Sequence, residues 1–206
     1  MNIAWILLYT LITHGLEIVI FFKVDGIGLT FERIFKAFLF KILLAFVFLM
    51  IGYMVGDSFL FYFMEPLYGI GLSFLLLRGL PKKLLFFYGL FPMILVNLFY
   101  RGVSYFVLPF WGQEIVDKDS NPIFLLMMIF VCFIVLVFLK WLDYDFTNLR
   151  KEILDKGFQK SLTTINWIMG AYYLVMQSLS FFEYEQGIQS TTVRHLILVF
   201  YLLFFM

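Results

Sequence analysis

Seven long apolar runs, separated by short polar connections, organise the chain: 3–22, 37–55, 59–77, 84–107, 123–142, 162–182 and 193–206. A helix needs about 20 mainly apolar residues to cross a bilayer core of about 30 Å. Unpaired backbone groups cannot face lipid, so runs of this length predict helices. A barrel would show alternating segments of about 10 residues, and no such alternation is present. The pattern predicts an all-α, polytopic membrane domain with six to seven transmembrane helices. The connections 23–36, 56–57, 78–83, 112–122, 143–160 and 182–195 are too short to hold a soluble domain. The whole of 1–206 therefore reads as a single membrane domain.

The first run has no basic residue ahead of it and no small-residue cleavage site, so it reads as a retained span rather than a signal peptide. The last run offers only about 11 to 14 residues before Met206, short of a span. The expectation is that cytoplasmic sequence follows it; a partial last helix is the alternative.

Charge sets the expected orientation. With the N-terminus outside, the cytoplasmic side receives Lys23, Arg33, Lys36, Lys41, Arg78, Lys82, Lys83, Lys140, Arg150, Lys151, Lys156 and Lys160. The outside receives Arg101, Lys118 and Arg194. A 12 to 3 division is what the positive-inside bias produces. It places the C-terminus in the cytoplasm.

Composition narrows the class. Apolar residues make up 63% of the chain and charged residues 14%, against about 45–50% and about 25% in soluble domains. Disorder is excluded by the hydrophobicity. A net charge of +1 argues against nucleic-acid binding. The single cysteine, Cys132, excludes a disulfide scaffold. No P-loop, dinucleotide-binding glycine pattern, HExxH or nucleophile elbow is found.

Ionisable residues within spans are costly and become functional candidates by default. His14 and Glu17 share a face of the first span. With no third ligand at suitable spacing, an interhelical polar clasp is favoured over a metal or proton site. Glu17 and Lys41 lie at similar counted depth from the cytoplasmic edge and are expected to pair. Glu65, followed by Pro66, sits in the outer half of the third span. Pro66 is expected to kink that helix, and Arg101 could reach Glu65. His14, Glu17, Lys41 and Glu65 are thus the candidate clasp. Cys132 lies among apolar residues, where a thiol is a poor nucleophile.

Two connections carry further expectations. The outer segments hold Asp57, Glu114, Asp117, Asp119, Glu183 and Glu185 against three basic residues, a net −3. Aromatic residues, Trp111 among them, lie close by. An aromatic interface belt explains this; so does a mouth that steers a cationic peptide and takes its apolar face. On the second reading the peptide contacts are Glu114, Asp117, Asp119, Glu183 and Glu185, then Arg101 and Trp111. Segment 143–160 puts Phe146, Leu149, Ile153, Leu154 and Phe158 near one helical face, with Glu152 and Lys156 an i, i+4 pair. It reads as a helix lying on the cytoplasmic interface.

Three strings carry a resemblance that spans the chain: MNIAWILLYT…GLEIVIFFKVDG, FMEPLYGIGLSFLLLRG and TTINWIMGAYYLVMQSLSFFEYEQG. They resemble the membrane sensor half of peptide-pheromone-sensing histidine kinases of the streptococcal bacteriocin-like-peptide type. Competence-peptide and accessory-gene-regulator receptors are relatives. The resemblance implies a quorum-sensing receptor in the bacterial cytoplasmic membrane. It would bind an exported peptide pheromone and signal through its last helix to a cytoplasmic kinase that controls bacteriocin production. It also implies a homodimer formed through the kinase part and a response regulator beyond it. The family's phosphoacceptor histidine and nucleotide motifs lie downstream, and nothing here matches them. His14 is in a span and His195 at an outer helix end, so neither is expected to be phosphorylated. The chain itself is expected to have no enzymatic activity, cofactor or metal. The rival classes are a small-molecule transporter or its membrane subunit, and an intramembrane peptide-processing protease using Cys132 or His14.

Overall fold

The computed structural model describes residues 3–55, 63–111, 122–143, 145–184 and 199. They form α1 (Ile3–Asp25), α2 (Phe31–Val55), α3 (Met64–Leu76), α4 (Lys82–Trp111), α5 (Pro122–Leu142), a 3₁₀ turn (Phe146–Asn148), α6 (Leu149–Glu152) and α7 (Lys156–Tyr184). The protein is all-helical, with no strand among the described residues. Three stretches, Phe31–Met54, Lys82–Val103 and Leu125–Leu142, are long and apolar enough to cross a membrane. The run 193–206 lies outside the described residues apart from Val199.

Helix ends follow backbone chemistry rather than the edges of apolar runs. α1 continues to Asp25 and stops because Gly26 takes φ +63°. The Ile27 N–H then donates to Phe22 O at 3.0 Å, the closing bond of a Schellman cap. α2 starts six residues ahead of its apolar run, where the Ile34 N–H donates to Thr30 O. Pro66 does not kink a full-length helix. It lies in the first turn of a 13-residue α3, where a missing N–H costs nothing. At 1.5 Å per residue, α3 covers about 20 Å, less than a bilayer core.

Segment 143–160 is not one interfacial helix. Asp145 Oδ1 accepts from Thr147 N–H and Oγ–H, which starts the 3₁₀ turn. Asp155 Oδ2 accepts the Phe158 N–H at 2.8 Å, which starts α7. The two caps break the helix, so Glu152 and Lys156 fall on different elements. Leu149 and Ile153 are buried, whereas Leu154 is 88% exposed.

Two compact units emerge: Met1–Ile34 with Pro92–Asn148, and Phe35–Phe91 with Leu149–Met206. In the first, α1 packs on α5 and on the 3₁₀ turn. A Cβ at Gly26 would collide with the Thr147 side chain, so glycine is required there for space as well as for φ. α5 buries Val131, Cys132, Val135 and Leu139, a helical stripe. Its outer face exposes Leu126, Phe130, Phe133, Val137 and Trp141. Phe99 of α4 stacks at a tilt on Phe138, 5.3 Å between centroids.

In the second unit α3 makes contact with both α2 and α4. Small residues let α3 and α4 approach closely: a Cβ at Gly89 would lie 2.5 Å from Ile70 Cα. Ser73, fully buried, donates to Leu85 O at 2.7 Å across this contact. Gly69 and Ser73 thus form the small-xxx-small face that lets apolar helices associate without help from water. α7 buries Leu162, Met169, Tyr173 and Met176. Asn166, in the gap of that stripe, donates to Lys83 O of α4 at 2.8 Å.

α2 is apolar nearly all round, yet the residues it buries include Ala37, Lys41 and Phe48. Ile42, Leu43, Phe46, Val47 and Leu49 are exposed. A lysine inside and a sheath of large aliphatic and aromatic groups outside is the reverse of water-soluble order. It is stable where the surroundings are hydrocarbon.

Candidate functional site

The polar residues of the second unit converge where α2 meets α3. Lys41 Nζ lies 2.9 Å from Glu65 Oε1 and donates to Glu65 Oε2 at 3.0 Å. The ammonium also sits 4.7 Å from the centroid of the Tyr68 ring, a cation–π distance. Tyr68 is fully buried, donates through its hydroxyl to Ala37 O at 3.3 Å, and stacks on Phe40. A Cβ at Gly71 would run into the Phe40 ring. The site is therefore a lysine held between a carboxylate and an aromatic face, on helices locked by ring packing.

Burial is unequal across the pair. The Lys41 side chain is 5% exposed and that of Glu65 33%. Glu65 stands in the first turn of α3, where the helix dipole favours a negative charge. The carboxylate thus has solvent and the helix dipole in its support, whereas the ammonium is almost wholly desolvated against Glu65 and Tyr68. Removing Glu65 should cost more than removing Lys41.

Sequence depth had matched Lys41 with Glu17 and Glu65 with Arg101. The structure places Lys41 on Glu65, two members of the candidate clasp. In the first unit, His14 Nδ1 and Glu17 Oε2 are 3.1 Å apart on one face of α1, both partly buried. Arg101 donates from Nε to Asn97 Oδ1, four residues earlier on α4. α3 begins at Met64 with the proline in its first turn, which brings Glu65 to Lys41 of α2. Tyr68 and Ser73 were not anticipated. A signal for Tyr68 was available: it lies three residues after Glu65, on the same helical face.

Cys132 is a free, fully buried thiol in the α5 stripe. Burial of this kind withholds a sulfur from reaction. Glu114, Asp117, Asp119 and Glu185, the main expected peptide contacts, lie outside the described residues. Trp111 and Glu183 are the final and penultimate residues of α4 and α7, respectively.

No family model, curated protein or solved structure matches the chain.

Proposed function

We propose that the chain is the membrane-embedded receptor domain of a peptide-sensing two-component kinase. It has six to seven transmembrane helices, the N-terminus outside and the C-terminus in the cytoplasm of a bacterial cell. The observation that carries the reading is the Lys41–Glu65 pair on the Tyr68 ring. Desolvation of the buried ammonium offsets much of its attraction to the half-buried carboxylate. Such a contact fixes register strongly while contributing little net stability, which makes it suitable for a packing that must switch. A ligand shifts such an equilibrium only by its differential affinity for the two packings.

The ligand class comes from the outer segments and from the resemblance of the three sequence strings. The net −3 of the outer segments would steer a cationic amphipathic peptide. Glu114, Asp117, Asp119, Glu183 and Glu185 are its proposed contacts, with Arg101 and Trp111 beside them. The signal would pass through the last helix to a cytoplasmic kinase, which would act on a response regulator and control bacteriocin production.

The test is binding of a labelled cationic amphipathic peptide to the full chain in lipid nanodiscs. Saturable binding should drop at least about tenfold when the five acids become Asn or Gln, since neutral pairs lose the steering term. Equal binding by the neutralised variant would remove the contact assignment. Uptake of a small solute without peptide binding would move the chain to the transporters.

A further inference from the structure

We propose that the end of the second unit where α4 and α7 begin is a binding surface for the phosphate headgroups of anionic lipids. Two hydrogen bonds bring these helix starts together. Lys83 Nζ donates to Gln159 O at 3.4 Å, and Asn166 Nδ2 donates to Lys83 O at 2.8 Å. Lys83, at the start of α4, thus lies against the first three turns of α7.

A helix start normally carries acids. Neither α4 nor α7 has one in its first turn. They carry Lys82, Lys83, Lys156 and Lys160 instead, all exposed, with Arg78 and Lys151 exposed nearby. Asp155 caps α7, its Oδ2 accepting from Phe158 N–H, so α7 has one carboxylate at its start. With Glu152 that makes two carboxylates beside six cations. Among the described residues, no carboxylate forms an ion pair with Arg78, Lys82, Lys83, Lys156 or Lys160.

Helix N-termini bind phosphate through dipole and N–H groups, and basic clusters beside membrane helices bind anionic headgroups. The lipid is favoured as the source of the phosphate by Leu154. This side chain is 88% exposed on the turn between Lys151 and Lys156, placed to enter the acyl boundary while the lysines hold the headgroup. Arg150 anchors that turn, its guanidinium 5.5 Å from the centroid of the Tyr88 ring on α4.

The test uses the full chain in nanodiscs of mixed phosphatidylglycerol and phosphatidylcholine with matched acyl chains. Lipids retained on the protein are counted by native mass spectrometry. Phosphatidylglycerol should be enriched at least about fivefold, and the enrichment should fall as salt rises. The variant Lys82→Gln/Lys83→Gln/Lys156→Gln/Lys160→Gln should lose it, and the four Arg replacements should keep it. Equal retention of both lipids by the native chain would overturn the proposal, as would undiminished enrichment in the Gln variant. If that variant does not fold, the salt series on the native chain decides, a flat preference being the contrary result. Glycerol phosphate that displaces phosphatidylglycerol at equal concentration would also overturn it, by removing the lipid from the recognition.

Discussion

At the scale of single residues, the Lys41–Glu65 contact makes an ordered prediction. Glu65→Met takes the carboxylate away from a nearly buried ammonium and should cost about 3 kcal/mol of stability in detergent. Lys41→Met leaves a carboxylate that is one-third exposed and supported by the α3 dipole, and should cost about 1–2 kcal/mol. The double variant Lys41→Met/Glu65→Met should lie closer to the native protein than Glu65→Met does, because apolar pairs can replace buried ion pairs at little cost. Thermal unfolding of the four proteins gives the order, and a double variant less stable than either single one would contradict it. The charged residues themselves were legible in the sequence, since a lysine and a glutamate inside apolar runs stand out. The direct Lys41–Glu65 contact was not singled out, because it depends on where α3 starts and on its register against α2, and edge counting carries neither.

At the scale of elements, glycine substitutions separate close packing from open space. Gly89→Ala would drive a methyl into the α3 backbone at Ile70 and Gly69, and should cost about 2 kcal/mol or more. Gly170→Ala on α7 meets nothing within 4 Å, and should stabilise by up to about 1 kcal/mol through helix propensity. Opposite signs in the two melting temperatures are the expected outcome; equal losses would mean that α3 and α4 do not approach so closely. α1 to α5 and α7 lie where the first six apolar runs place helices, because hydrophobicity over about 20 residues dominates that signal. What escaped was set by local capping. The stop at Gly26 and the break around Ile153–Asp155 each depend on one or two hydrogen bonds, which hydropathy does not register, and Pro66 falls in the first turn of a 13-residue α3.

At the scale of the whole molecule, the exposed aliphatic and aromatic sheath of α2 and α5 contrasts with the buried Lys41 and Ser73. A chain solvated by hydrocarbon shows this order. The proposed topology follows from charge and predicts sidedness. In a Cys132→Ala background, Arg78→Cys and Leu154→Cys should react with an impermeant maleimide only from the cytoplasmic side, and Asp117→Cys only from outside. Labelling of Arg78→Cys and Leu154→Cys from opposite sides would contradict the shared basic end of α4 and α7. The proposed peptide contacts rest on charge and aromatic content, and most of those acids lie outside the described residues.

The most direct measurement of the receptor account is a distance distribution between spin labels at Leu43→Cys on α2 and Leu67→Cys on α3, both exposed positions, in the Cys132→Ala background. It would be recorded in nanodiscs with and without a saturating cationic amphipathic peptide. The account predicts two distance populations whose ratio shifts with peptide, and a ratio pinned by Lys41→Met/Glu65→Met, which removes the clasp. A single distance, unchanged by a peptide that is shown to be bound, would contradict it.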